Sequence, residues 1–127
     1  MKRIDLVLAG VTLAMLLPIA SGSARAQDPV LVNARTVHVK LENRHVRVLE
    51  ATLQPGQKEQ MHSHPATILY VISGGKVRNH TADGKTTEAV LQAGDVSYRE
   101  PMTHWAENIG TTPVHLILVE LKSPTLE

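Results

Sequence analysis

The sequence predicts one all-β domain, a sandwich or barrel, and three observations predict it. Polar and apolar residues alternate with period two in a series of short segments from residue 36 onward. Turn residues separate these segments at regular spacing. After residue 26 no amphipathic helix of useful length is legible, and neither an internal repeat nor a low-complexity linker appears.

Thr36 to Leu41 alternates as a half-buried strand does, and Glu42-Asn43 ends it. Val46 to Leu53 is the second strand, closed by the Pro55-Gly56 turn. Gln60 to His64 is short and polar, and Thr67 to Ile72 is β-branched and apolar. Ser73-Gly74-Gly75 turns the chain into Lys76 to His80, and Asp83-Gly84 signals a hairpin into Lys85 to Leu91. Ala93-Gly94-Asp95 precedes Val96 to Arg99, and Pro101 precedes Thr103 to Asn108. Val114 to Leu121 is apolar at nearly every position, the pattern of a strand covered on both faces. The count is eight or nine strands.

The first 26 residues read separately from this domain. Met1-Lys2-Arg3 is basic, Ile4 to Ala20 is mostly apolar, and Ala24-Arg25-Ala26 has the A-x-A form of a cleavage site. That order is a secretory signal, with cleavage expected after Ala26 and a periplasmic or secreted domain over residues 27–127. Asp5 and Pro18 interrupt the apolar run, which argues against an uncleaved membrane anchor. Without Lys2, Arg3, Arg25 and Asp5 the remaining chain carries 10 basic and 11 acidic residues. No basic patch calls for nucleic acid or an anionic membrane. Tyr70, Tyr98 and Trp105 are too few to form a base-stacking surface. There is no cysteine, which excludes disulfides, thiolate zinc sites and cysteine nucleophiles.

Seven histidines carry the chemistry that remains. His38, His45 and His80 read as solvated, and His115 as a hydrogen-bonded interior residue of the last strand. His62 and His64 differ, because residues two apart on a strand share a face. His104 begins a strand some forty residues later, far enough to fold back beside them. Three imidazoles from two strands would cap one face of a metal ion and leave positions open for water or substrate.

The chain resembles the small single-domain cupins. Their first motif runs Gly, five residues, His-x-His, three or four residues, Glu, six residues, Gly; Gly56 and His62-Ser63-His64 match it. Their second runs Gly, five residues, Pro-x-Gly, two residues, His, three residues, Asn; Gly94, Pro101, His104 and Asn108 follow it with Pro101 one place late. The resemblance spans about Glu42 to Leu121 and implies a double-stranded β-helix, or jelly roll, with a metal inside one end of the barrel. It also implies a small-molecule ligand and a homodimer, for which apolar edges such as Val30 to Val39 would serve.

Two departures stand out. Thr103 replaces the glycine before the second-motif histidine, and the first motif has no glutamate: Thr67 or Ile68 stands in its place, depending on alignment. Glu59 has the wrong strand parity with His62, and Glu107 faces away from His104 on a regular strand. A three-histidine site would then keep the full +2 charge of a divalent ion, favouring an anionic substrate and acidifying bound water. Gln60, Thr67, Tyr98 and Asn108 are candidates for a supporting shell of hydrogen bonds. Trp105 points away from His104's face, toward a subunit interface or surface cluster. Imidazole ligands suit iron, manganese, zinc, nickel or copper alike. The expected function is metal-dependent oxygenation or isomerisation of a small anionic molecule; the alternatives are a non-enzymatic ligand-binding module and a barrel with a degenerate site.

Overall fold

In a computed structural model, residues 27–123 are described, and the expected export signal over residues 1–26 lies outside them. One short helix and nine strands follow in order: α1 (Pro29–Val32), β1 (Val37–Glu42), β2 (Val46–Leu53), β3 (His62–His64), β4 (Thr67–Ser73), β5 (Gly75–Thr81), β6 (Thr86–Leu91), β7 (Val96–Arg99), β8 (Met102–Asn108) and β9 (Val114–Leu121). The all-β expectation is met, and three strands, β2, β7 and β9, match at both ends the ranges read from the sequence. A five-stranded antiparallel sheet has the order β1-β2-β9-β4-β7, and a four-stranded sheet the order β3-β8-β5-β6.

Strand β9 is apolar throughout because it is the centre of the larger sheet, paired along its length with β2 and β4. Its inward residues Val114 and Leu118 are buried, and Leu118 joins Leu49, Ala51, Leu69 and Val71 in the core. Leu49 and Val71 have no exposed surface, and burying each contributes about 1.5–3 kcal/mol. The expectation that both faces of β9 are covered is corrected. On the outer face Ile117 and Val119 lie beside Tyr70 and Ile68, which are 44 % and 37 % exposed. The outer face is apolar without a second layer over it among the described residues.

Residues 29–32 are helical, so the expectation of a strand edge from Val30 to Val39 holds only from Val37 on. Asp28 caps the turn by accepting a 2.9 Å hydrogen bond from the Val30 amide, and Pro29 opens it with its fixed φ. This turn places Asn33 under β3. The loops behave as their glycines require: Gly84 (φ 85°) closes the β5–β6 hairpin and Gly94 (φ 90°) the turn before β7.

Candidate metal centre

Strand β3 is only three residues long and forms the edge of the smaller sheet, with His62 opposite His104 and His64 opposite Met102 on β8. Period two turns His62 and His64 inward, and the register sets His104 beside them. His62 and His64 are 1 % and 8 % exposed, and His104 is half-buried. One ring nitrogen from each of the three lies within 4.8 Å of the others, close enough that the group could hold a metal ion. The ring centroids are separated by 4.7, 4.7 and 5.4 Å.

Each imidazole is held through Nδ1. His62 Nδ1 lies 2.7 Å from the Gln60 carbonyl, His64 Nδ1 lies 2.8 Å from Glu120 Oε2, and His104 Nδ1 lies 3.2 Å from Asn79 Oδ1. His62 Nδ1 also has the Asn33 amide nitrogen at 3.1 Å, but the nearer Gln60 carbonyl can only accept; each Nδ1 thus faces an acceptor that places its proton there and leaves Nε2 toward the cavity. Burial pushes the His62 imidazolium down to about 4 and His104 down to about 3, with the neighbouring histidines adding to both shifts. The His62 and His104 rings are therefore neutral at pH 7. Neutral imidazoles fixed from behind by acceptors are what a divalent transition metal requires of histidine ligands.

A chain of charge stands behind His64. Glu120, 2 % exposed, accepts from Arg47 Nε at 2.6 Å through its other oxygen, and Arg47 Nη1 reaches Asp28 at 2.7 Å. The N-terminal segment also supports β3 directly. Asn33 accepts from the Gln60 amide and donates to the Gln60 carbonyl, and the Ser63 amide donates to the Gln27 carbonyl. Sequence reading missed Glu120, Arg47, Asn33 and Asn79. Of these only Glu120 left a local trace, as the one acid in a strand that is apolar apart from it and His115.

The cavity in front of the histidines lies between the two sheets. Leu53, Leu69, Val77, Ala106 and Leu118 give it an apolar wall, and Glu59, Thr67, Asn79 and Arg99 are its polar residues besides the histidines. Arg99 stands opposite Thr67 and forms no ion pair among the described residues. Its neighbour Tyr98 has the opposite parity and faces outward.

The candidates for the supporting shell are placed as follows. Gln60 acts through its backbone carbonyl, and its residue is exposed, which corrects the expectation of a side-chain contact. Thr67 is buried and lines the cavity, with its hydroxyl donated to the Pro65 carbonyl. Tyr98 does not enter the cavity: it pairs with Ile68 on the outer face and is 56 % exposed. Asn108 is buried away from the cavity, donating to the Leu53 and Thr112 carbonyls and accepting from the Gly110 amide, so it fastens the β8–β9 turn. Trp105 stacks on His80 at 3.7 Å in a surface cluster. His80 is thus half-buried rather than solvated, and it also meets Glu107. His115 faces outward to Glu50 at 2.7 Å instead of the interior.

Glu59 requires the largest correction. Its carboxylate lines the cavity, is 8 % exposed, and approaches His62 Nε2 at 3.8 Å. The parity argument against it assumes regular strand through residue 62. The pairing sets Lys58 opposite Glu107 and His62 opposite His104, so the β3 side has three residues where β8 has two. That is a one-residue bulge, with Gln60 and Met61 both exposed. Burial pushes the Glu59 carboxyl up to about 7 despite the hydrogen bond from the Ala106 amide.

The comparisons agree with this architecture. A family model described as cupin domain matches residues 49–120. A cupin domain from Bordetella pertussis is similar at 24% identity and a TM-score of 0.63, covering 68% of this chain and 92% of its own. A double-stranded β-helix protein from Klebsiella pneumoniae shares 31% identity over 65% of this chain and 72% of its own, with a TM-score of 0.52. A structure of oxalate decarboxylase shares 27% identity with a TM-score of 0.55, covering 78% of this chain but 29% of that one. No curated protein matches by sequence. With nine antiparallel strands in two facing sheets and the family model spanning more than half of its length, the chain belongs to the cupin domain family.

Proposed function

We propose that this chain is an exported cupin that binds one divalent transition metal through His62, His64 and His104 and uses it on a small anionic molecule, by oxygenation or isomerisation. One observation carries the reading: each Nδ1 atom has an acceptor within 3.2 Å, which turns the three Nε2 atoms toward one cavity. A bound ion would supply Lewis acidity and open coordination positions there. The protein's own residues supply the rest. The aliphatic wall excludes water, and Arg99 offers an uncompensated cation to an anionic group. The likeness to oxalate decarboxylase, whose name denotes a small dicarboxylate, supports an anionic ligand by analogy of fold.

Export rests on the basic, apolar and A-x-A order of residues 1–26. A homodimer is supported by the open apolar outer face of the larger sheet, with Ile68, Tyr70, Val96 and Tyr98 each more than a third exposed.

The test is element analysis of protein recovered from the periplasm, with His62→Ala and His104→Ala alongside. Stoichiometric metal in the wild type and its loss in both variants supports the centre; no metal, with affinity unchanged by either variant, overturns it. Oxygen uptake or product formation on adding ligands to the loaded protein separates an enzyme from a ligand-binding module.

A further inference from the structure

We infer that the anion this cavity takes is a short-chain aliphatic monocarboxylate, its carboxylate on Arg99 beside the histidines and its hydrocarbon chain running inward between the sheets. The inference rests on the anionic-ligand reading above and names the class of molecule. Three observations lead there.

The first is the order of layers along the strands. Arg99 stands opposite Thr67 on β4, and Thr67 stands opposite Glu120 on β9, the carboxylate that holds His64. Arg99 and the histidines therefore share one polar layer. It lies at the mouth of the cavity, where Arg99, Met102 and His104 are only half-buried. Two residues further along β4 and β9 the inward pair is Leu69 and Leu118, and two further along β9 Leu116 stands opposite Ala51. The last lining layer, Leu53 opposite Val114, is 4 % and 1 % exposed. Asn108 seals that end by donating to the Leu53 and Thr112 carbonyls. The cavity is thus polar at its mouth and aliphatic behind it.

The second is charge. Among the described residues Arg99 is the one lysine or arginine on the wall, and its guanidinium makes a single 3.4 Å hydrogen bond, from Nε to Ser97 Oγ. Its two Nη groups are left for one carboxylate, the geometry in which arginine binds that group best. Glu59, the other charged residue type on the wall, offers nothing to a second carboxylate. Burying one against Leu69 and Leu118 without a partner is costly, so the ligand has one anionic end. The third is size. The cavity measures about 80 Å³, against roughly 150 Å³ for an apolar cavity that takes benzene. That is room for an aliphatic chain of a few carbons and not for an aromatic ring.

The experiment is calorimetric titration of the wild-type protein, metal-loaded and chelator-stripped, with acetate, propanoate, butanoate, succinate and benzoate. Each added methylene is expected to tighten binding by about fourfold, the equivalent of burying one CH2. Succinate and benzoate are expected to bind no tighter than acetate. The slope with chain length is expected in both forms, because the aliphatic layers hold no metal ligand. Arg99→Gln is expected to weaken all three monocarboxylates by a common factor of about tenfold or more, and equal affinity in that variant overturns the placement of the carboxylate. A flat series from acetate to butanoate, succinate or benzoate matching butanoate, or no binding of any of these acids by either form overturns the inference. A chain-length slope in protein that holds no metal supports it even where the metal centre fails. A flat series on protein that holds one metal ion per chain removes the inference and leaves the centre standing.

Discussion

Glu120 reaches His64 through a 2.8 Å hydrogen bond that joins the last strand of one sheet to the edge strand of the other. Its second oxygen is held by Arg47 at 2.6 Å, so one buried carboxylate fixes an imidazole and compensates a guanidinium. Removing it leaves Arg47 facing a gap. Glu120→Ala is expected to lower unfolding free energy by about 3–5 kcal/mol, the usual result of stranding one member of a buried pair. Urea titration of the metal-free protein checks this, and a loss below about 1 kcal/mol contradicts it. Glu120→Gln keeps an acceptor for His64 and is expected to lose metal affinity by a smaller factor than Glu120→Ala.

The pH dependence of the metal-free protein follows from two opposed groups. His62 and His104 titrate near 4 and 3 in the folded state and near 6.5 unfolded. Between those values the unfolded chain binds more protons, so stability falls as pH is lowered from about 6.5 toward 3. Glu59 acts the other way. Its folded carboxyl titrates near 7 against 4.5 unfolded, so its contribution is present below 4.5 and lost as pH rises through 7. Urea midpoints from pH 4 to 8 in wild type and Glu59→Gln check the signs. The variant is expected to rise more steeply with pH between 4.5 and 7; equal slopes would refute the buried acid.

The cation in the cavity should act on ligands and not on the fold. Arg99→Gln is expected to leave thermal stability within about 0.5 kcal/mol of wild type. It is also expected to weaken binding of small carboxylates to the metal-loaded protein by about tenfold or more, the scale of a lost charged hydrogen bond. Calorimetric titration with oxalate and acetate measures it, and unchanged affinity would remove Arg99 from the ligand site.

In the core, Leu49→Ala opens a cavity at a position with no exposed surface. A loss of about 2–5 kcal/mol is expected in the same urea assay, and Val90→Ala, at 68 % exposure, serves as the near-neutral control.

What was legible in the sequence follows from the distances over which each signal acts. Period-two alternation and turn residues are local, so the strands came out in order, but β9's continuous apolar run was read as cover on both faces when it belongs to the centre of a sheet with an open outer face. The His62–His64 pair and His104 could be grouped because a strand ladder needs only parity and an antiparallel return. Glu59 was lost at the same step. A single extra residue on the β3 side reverses the face of everything before it, and nothing in Gln60-Met61 announces a bulge. Glu120, Arg47 and Asp28 meet only after β9, β2 and the N-terminal turn are assembled, so their link to His64 had no local signature. The Asp28-Pro29 start of α1 was readable as a cap with proline at the first helical position, but one turn of helix is too short for its periodicity to show.

The central claim is that three imidazoles on one cavity hold a metal ion. It is tested most directly by metal stoichiometry on protein purified without added metal, wild type beside His62→Ala/His104→Ala. The account predicts close to one transition-metal ion per chain in the wild type and none in the double variant. Equal metal content in the two proteins, or none in the wild type even after metal is supplied, would contradict it.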